Sequence, residues 1–175
     1  LDARADGYVR GEVCSVMLLD SVLDGGTSGS VGGAVARLCG SNVNQDGRSS
    51  SLTAPNGPAQ QRCMRTAMRT ADMSASDVGM LQMHGTGTSL GDPIEIGAAS
   101  AVLLDAGSRT SPLVLATVKT CIGHTEPGAG LAGVMRAVVE LSHARASALL
   151  HLTSVNPYVV SALEGLSLIH ISEPT

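Results

Sequence analysis

Met80-Leu-Gln-Met-His84-Gly-Thr-Gly-Thr88, running on into Gly91-Asp-Pro-Ile-Glu95, reads in order as a strand, a glycine turn and the start of a helix. The apolar run from Val78 to Met83 predicts the strand, and Asp92-Pro93 opens a helix predicted to reach about Leu104. The same order recurs downstream. Pro112 to Val118 is a second strand candidate, followed by Lys119-Thr-Cys-Ile-Gly-His124 and a helix from about Gly128 to His143. Two units of this kind bring polar side chains to the carboxyl ends of neighbouring strands, where α/β proteins collect their chemistry. His84, His124 and Lys119 are therefore expected to converge on one site.

Upstream, Tyr8 to Leu19 reads as a strand interrupted by glycine, ending in a turn-rich segment over 24–33, and Val35 to Leu38 as a second short strand. A long polar loop follows from Ser41 to Pro55. Asn56-Gly-Pro58 is a helix start with an asparagine cap, and Met64, Ala67, Met68 and Ala71 continue at helical spacing. Ser74-Ala-Ser-Asp77 resembles a capping box. In the 128–143 helix, Leu131, Met135, Val138 and Leu141 share one face and Gly130 and Gly133 lie opposite, so burial on both sides is expected. The alternation of strands and helices places the chain in the α/β class with a largely buried sheet.

Composition narrows the function. The 11 basic and 15 acidic residues give a net charge of −4, which disfavours a nucleic-acid surface. No run approaches the ~20 apolar residues of a membrane helix. Cys14, Cys39, Cys63 and Cys121 have no metal-like spacing and suit reduced thiols in a cytoplasmic setting, an organelle included. The chain starts Leu-Asp-Ala-Arg, without methionine or a signal peptide, so a start within a longer protein is expected. With only two aromatic residues, Tyr8 and Tyr158, the core must be built from aliphatic side chains, Met and close backbone contacts.

Other constellations have competing readings. Gly85-Thr-Gly-Thr-Ser-Leu-Gly91 is one residue too long for the dinucleotide fingerprint and lacks the P-loop lysine, so it is read as a tight turn whose Thr86 and Thr88 hydroxyls face something polar. His124-Thr-Glu126 with a distant histidine (His84, His143, His151 or His170) matches part of a two-histidine, one-carboxylate metal set, but no context selects the third ligand. Arg62, Arg65 and Arg69 form a basic helix stripe, ordinarily a solvated face and otherwise a docking face for an acidic partner. Cys121 is read as a packed thiol that does not start a helix.

Six motifs in fixed order then carry a resemblance: Asp6-Gly-Tyr-Val-Arg-Gly-Glu12, Val43-Asn-Gln-Asp-Gly-Arg48, Leu52-Thr-Ala-Pro-Asn-Gly-Pro58, His84-Gly-Thr-Gly-Thr88, Gly91-Asp-Pro-Ile-Glu95 and Lys119-Thr-Cys-Ile-Gly-His124. Over residues 1–165 the chain resembles the β-ketoacyl synthase (ketosynthase) domain of type I modular polyketide synthases. The resemblance implies a thiolase-like fold with α/β/α/β/α layers, present here as its middle-to-C-terminal part. It implies an acyltransferase activity, the decarboxylative Claisen condensation of malonyl units onto an acyl chain held on a cysteine. His84 and His124 match the histidines that support decarboxylation and stabilise the enolate, and Lys119 the lysine that charges the site. Thr86 and Thr88 match threonines contacting the pantetheine arm. No cofactor is implied for the domain itself, because phosphopantetheine on acyl carrier protein holds the substrate. Implied partners are that carrier, an acyltransferase and other synthase domains, and a second copy in a homodimer.

The chain also departs from the family pattern. No cysteine stands in the Thr-Ala-Cys-Ser-Ser-type turn of the family nucleophile, and the closing motif ending in Asn-Ala-His is missing, so this stretch by itself is expected to be inactive and poorly folded. Cys121 stands where asparagine is usual, at a cost of ~1 kcal/mol if a hydrogen bond is weakened. Val13 and Ser15 replace small, glycine-like positions. Leu166 to Thr175 fits nothing in the family and looks like translated sequencing adapter, which would leave His170 without a role. The competing expectations are a fatty-acid-type condensing enzyme, disfavoured by Asn44–Arg48 and Leu52–Pro55, and a non-catalytic chain-length-factor-like partner.

Overall fold

The computed structural model describes residues 1–21, 34–49, 51, 54–104, 109–160 and 162–163, and the backbone of 166–168. The expected turn at 24–33, the motif residues Leu52 and Thr53, and His170 lie outside the described residues.

The first long helix, α1, spans Gly57–Thr70. Asn56 caps it through its side chain, which accepts from the Ala59 N–H at 3.0 Å, and Pro58 occupies the first turn, where its missing N–H costs no helical bond. A single 3-10 turn at Ala75–Asp77 carries the expected capping box, with the Ser74 N–H donating to Asp77 at 2.8 Å. β1 (Met80–Gln82), α2 (Gly91–Leu103) and β2 (Leu113–Ala116) follow as the first strand–turn–helix–strand unit. α3 is one turn, Lys119–Ile122; α4 spans Ala129–Ser142; α5 is the short Pro157–Val160.

β1 and β2 pair in parallel with Met80 opposite Val114 and Gln82 opposite Ala116. The pairing continues past β1, since the Met83 N–H donates to the Ala116 carbonyl at 2.7 Å, which brings His84 to the carboxyl edge of the sheet. A third strand, β3 (Leu166–Leu168), pairs with the other edge of β2, with Leu113 opposite Leu166. These are the first residues of the stretch that fits no family motif. Strand pairing uses N–H and C=O groups every residue carries, so this position makes no demand for a particular sequence.

The core sits where α2 lies on the sheet. Ile96, Leu113, Leu115 and Val159 are fully buried, joined by Met83, Val102, Leu103, Leu149 and Leu152, and α1 closes over α2 with Met64 and Met68. Aliphatic and Met side chains make up this cluster, as the near-absence of aromatic residues requires.

Three expectations are corrected here. Tyr8 to Leu19 is no strand: its ladder contacts are a single bridge between Arg10 and His124, while Val9, Val16, Leu18 and Leu19 stay exposed. Val35–Leu38 is also unpaired, with both end residues exposed. Apolar alternation makes a strand only where a neighbouring strand accepts its N–H groups, and no such neighbour stands beside these segments among the described residues. α4 is not buried on both sides: Met135 and Leu141 are exposed, and a Cβ added at Gly130 or Gly133 would meet no described neighbouring element within 4 Å. Its buried side chains are Ala129, Ala132 and, unexpectedly, Glu140. That carboxylate is stabilised by three donors, the Gln82 amide at 2.6 Å, Arg136 at 2.8 Å and the Ser147 N–H at 2.9 Å.

Candidate active site

The loop after β1 is tied down by two acids of α2. Glu95 accepts from the His84 N–H at 2.5 Å and from the Gly85 N–H at 2.8 Å, while Asp92 accepts from the Gly87 N–H at 3.0 Å. Residues three apart share one face of a helix, so Asp92 and Glu95 both look at the loop. A carboxylate receiving peptide N–H groups makes strong, charge-assisted bonds. Gly87, at φ +74°, allows the loop to close on the segment before Tyr8: a Cβ there would lie 2.7 Å from the Gly7 carbonyl oxygen. Sequence reasoning finds the motif that contains these acids and misses what they do. The signal that could have found it is two carboxylates at i and i+3 in the first turns of a helix that follows a glycine-rich loop.

His124 is held from another direction. Its N–H donates to the Val9 carbonyl at 2.7 Å, and its own carbonyl accepts from the Gly11 N–H at 3.0 Å. Gly123 makes this possible at φ +74°, with no room for a Cβ, which would sit 2.8 Å from the Val9 carbonyl oxygen. The Glu126 N–H donates to His124 Nδ1 at 3.0 Å, which places the ring proton of the neutral imidazole on Nε2. His124 is buried; its ring stands edge-on to that of His84, centroids 5.2 Å apart and planes at 89°.

Lys119 opens α3 rather than ending the strand, and is half-buried. Burial lowers its pKa, opposed by the attraction of Glu95. The His84 pKa is also lowered, first by burial among its neighbours despite an exposed edge, then by repulsion from Lys119 and His124. Burial pushes the Glu95 carboxyl up, against the pull of its two N–H donors. The outcome is a site whose first histidine is biased towards the neutral ring and whose second presents an Nε2–H.

A cavity of about 510 Å³ opens beside these groups, with Tyr8, Gly85, Thr86, Lys119, His124 and Leu150 in its wall. His84, His124, Lys119 and Thr86 are thus brought together. Thr88 is turned away: its hydroxyl accepts from the Gly91 N–H at 3.1 Å and lies 3.2 Å from that of Thr86, a local cap for α2. Cys121 is exposed within the α3 turn, 3.9 Å from an Arg136 nitrogen, and so is not the packed thiol expected. The short α3 turn lifts it off the sheet, where a residue continuing β2 would have been covered. Arg62, Arg65 and Arg69 lie away from the cavity on the exposed side of α1, where Arg65 donates to Gln61 and to the Ala101 carbonyl. His143 is engaged with the Val139 carbonyl at the end of α4.

Such a group can lower the energy of a negative oxygen: two imidazoles in reach of one point, one of them with its N–H fixed, beside a cation in a partly dry wall. Comparisons with known proteins give the family. Residues 35–153 match the family described as β-ketoacyl synthase, C-terminal domain. The chain is 44% identical over 158 residues to a phenolphthiocerol/phthiocerol polyketide synthase of Mycobacterium tuberculosis, covering 90% of this chain and 8% of that protein. It is 43% identical to erythronolide synthase EryA2 of Saccharopolyspora erythraea, covering 90% and 4%. Among solved structures it is similar to the oxazolomycin ketosynthase domain OzmH KS7 of Streptomyces albus JA3453, with TM-score 0.73, 29% identity and coverage of 78% of this chain and 23% of that one. It is also similar to the ketosynthase from module 6 of the bacillaene synthase of Bacillus subtilis 168, with TM-score 0.65, 34% identity and coverage of 69% and 22%. The chain therefore belongs to the β-ketoacyl synthase family, as part of a ketosynthase domain of the modular polyketide synthase kind with its thiolase-like α/β fold.

Proposed function

We propose that the synthase containing this stretch extends a carrier-bound acyl chain by two carbons through decarboxylative Claisen condensation. The observation that carries the reading is the edge-on pair of His84 and His124 beside Lys119, with the Nε2 proton of His124 fixed by the Glu126 N–H. In the reaction the bond between the malonyl α-carbon and its carboxylate breaks and carbon dioxide leaves. The electron pair passes to the thioester oxygen as an enolate. His124 Nε2–H donates to that oxygen, His84 donates alongside it, and the Lys119 charge favours the developing anion. The enolate carbon then attacks an acyl thioester on a cysteine outside this stretch; a carbon–carbon bond forms and the thiolate leaves. These steps balance without a resident cofactor, because the pantetheine arm brings the substrate.

Thr86, in the cavity wall, is the first polar contact for that arm, and Thr88 supports it through Thr86 and the start of α2. Acyl carrier protein, an acyltransferase domain and a second ketosynthase copy are the proposed partners, in the cytoplasm. No described helix is long and apolar enough to cross a membrane. The stretch alone is expected to be inactive, since it supplies the histidines but no cysteine in the nucleophile's turn.

The test is to give the complete synthase a malonyl-loaded carrier and an acyl donor. Carbon dioxide and a β-ketoacyl carrier in equal amounts are expected; neither product overturns the reading. Carbon dioxide alone would assign the protein to the chain-length-factor-like class. The site's electrostatics add a pH prediction. Lys119 repels the protonated form of His84, so Lys119→Met raises the His84 pKa and the neutral ring is lost earlier as pH falls. The acid limb of the decarboxylation profile should move to higher pH in Lys119→Met and stay in place in Lys119→Arg. An acid limb that stays put in both variants would remove Lys119 from this role.

A further inference from the structure

Glu126 has φ +52°, a left-handed backbone that is unfavourable for a residue with a Cβ. Pro127 follows it, and a residue before proline is ordinarily pushed towards extended backbone. The same strained residue carries the N–H that donates to His124 Nδ1 at 3.0 Å. Such strain persists only where surrounding contacts over-determine it; besides the main-chain bonds of the Glu126–Gly128 turn, two contacts hold the Glu126 side chain. Arg10 pairs with Glu126 Oε1 at 3.2 Å, and the Tyr8 hydroxyl donates to the same oxygen at 3.4 Å. The Tyr8 ring in turn lies against the His124 ring, centroids 4.6 Å apart at 49°.

We propose that Tyr8, Arg10 and Glu126 form a clamp of positioning residues that orients the His124 ring and keeps its proton on Nε2. One half of the clamp acts on the ring face, through Tyr8. The other acts on Nδ1, through a backbone N–H whose direction depends on Arg10 and Tyr8 gripping the Glu126 carboxylate. Each contact is partly exposed and individually weak, the Arg10–Glu126 pair included. Their effect lies in sharing one strained residue. The inference rests on the condensation reading for its kinetic consequence, though not for the state of the ring.

The discriminating variants in the complete synthase are Glu126→Ala and Glu126→Gly. Alanine keeps the strain and removes the grip; glycine removes both, since it adopts positive φ freely. For Glu126→Ala we expect kcat for decarboxylation to fall roughly tenfold with KM for the malonyl carrier unchanged, a transition-state loss. Glu126→Gly should recover most of it. In solid-state ¹⁵N spectra of histidine-labelled protein, with His124 assigned by difference from His124→Gln, the Nε2-protonated signature should become mixed in Glu126→Ala and return in Glu126→Gly. Tyr8→Phe keeps the ring and removes only the hydroxyl, so it covers the case in which Glu126→Ala fails to fold; its spectrum should show a smaller shift of the same sign. Parental kinetics and spectrum in Glu126→Ala, glycine no better than alanine, or an unmoved Tyr8→Phe spectrum would each overturn the clamp. A parent enzyme that releases no carbon dioxide would sink the condensation reading, while the ring spectra would still decide this one.

Discussion

Replacing His124 by alanine in the complete synthase is expected to lower both decarboxylation and condensation by about 10²–10³-fold, the usual consequence of removing one oxyanion donor. Loading of the acyl chain onto the cysteine of the proposed reaction should be untouched, because that step needs no enolate. The backbone around residue 124 gives little reason to expect unfolding. The two main-chain bonds to Val9 and Gly11 do not involve the imidazole, and Gly123 rather than His124 makes the close approach. His124→Gln should recover part of the loss, since its longer amide reaches towards the position of Nε2. Pre-steady-state measurement of acyl loading beside carbon dioxide release separates the steps. Equal losses in loading and in carbon dioxide release would show that His124 holds the fold rather than the enolate.

How much of this is legible in the sequence depends on whether a signal is local. β1, β2 and α2 are readable because each is set by its own apolar run, turn and cap, and the sheet pairing of Gly79–Met83 with β2 follows the apolar run closely. The convergence of His84, His124 and Lys119 is readable for the same reason: the ends of adjacent parallel strands meet wherever the strands do. Pairing at a distance is not readable. Tyr8–Leu19 has strand-like alternation, yet alternation does not say whether a partner stands alongside. Nothing local to Glu140 marks it as the buried acceptor for Gln82 on β1, a contact spanning two elements. For Cys121, one short helical turn, Lys119–Ile122, separates an exposed thiol from the packed one expected. The task of Asp92 and Glu95 is only half legible: their i, i+3 spacing after a glycine-rich loop marks them, but the main-chain N–H groups they accept from leave no mark in side-chain composition.

Glu95 is where that hidden main-chain chemistry should have its largest effect. Glu95→Ala leaves two loop N–H groups without their acceptor. The half-buried one of Gly85 then costs about 1–3 kcal/mol, and that of His84, which water can reach, costs less. Both lie at the histidine itself, so the loss falls on the geometry of His84 as well as on stability. A misplacement of about 1 Å is enough to cost on the order of 10²-fold in rate, and a fall of that order in decarboxylation is expected. Glu95→Gln keeps one oxygen acceptor and should lie between parent and alanine in both rate and urea midpoint. Asp92, on the same helix face, still holds Gly87, so the loop should stay attached at its far end and the protein stay folded. The measurement is urea unfolding beside carbon dioxide release for the three proteins. A graded series, parent above glutamine above alanine in both quantities, is the expected pattern. An alanine variant with the parental rate and a lower midpoint would make Glu95 a stabiliser of α2 only, and the position of His84 would then have to be set by the sheet edge alone.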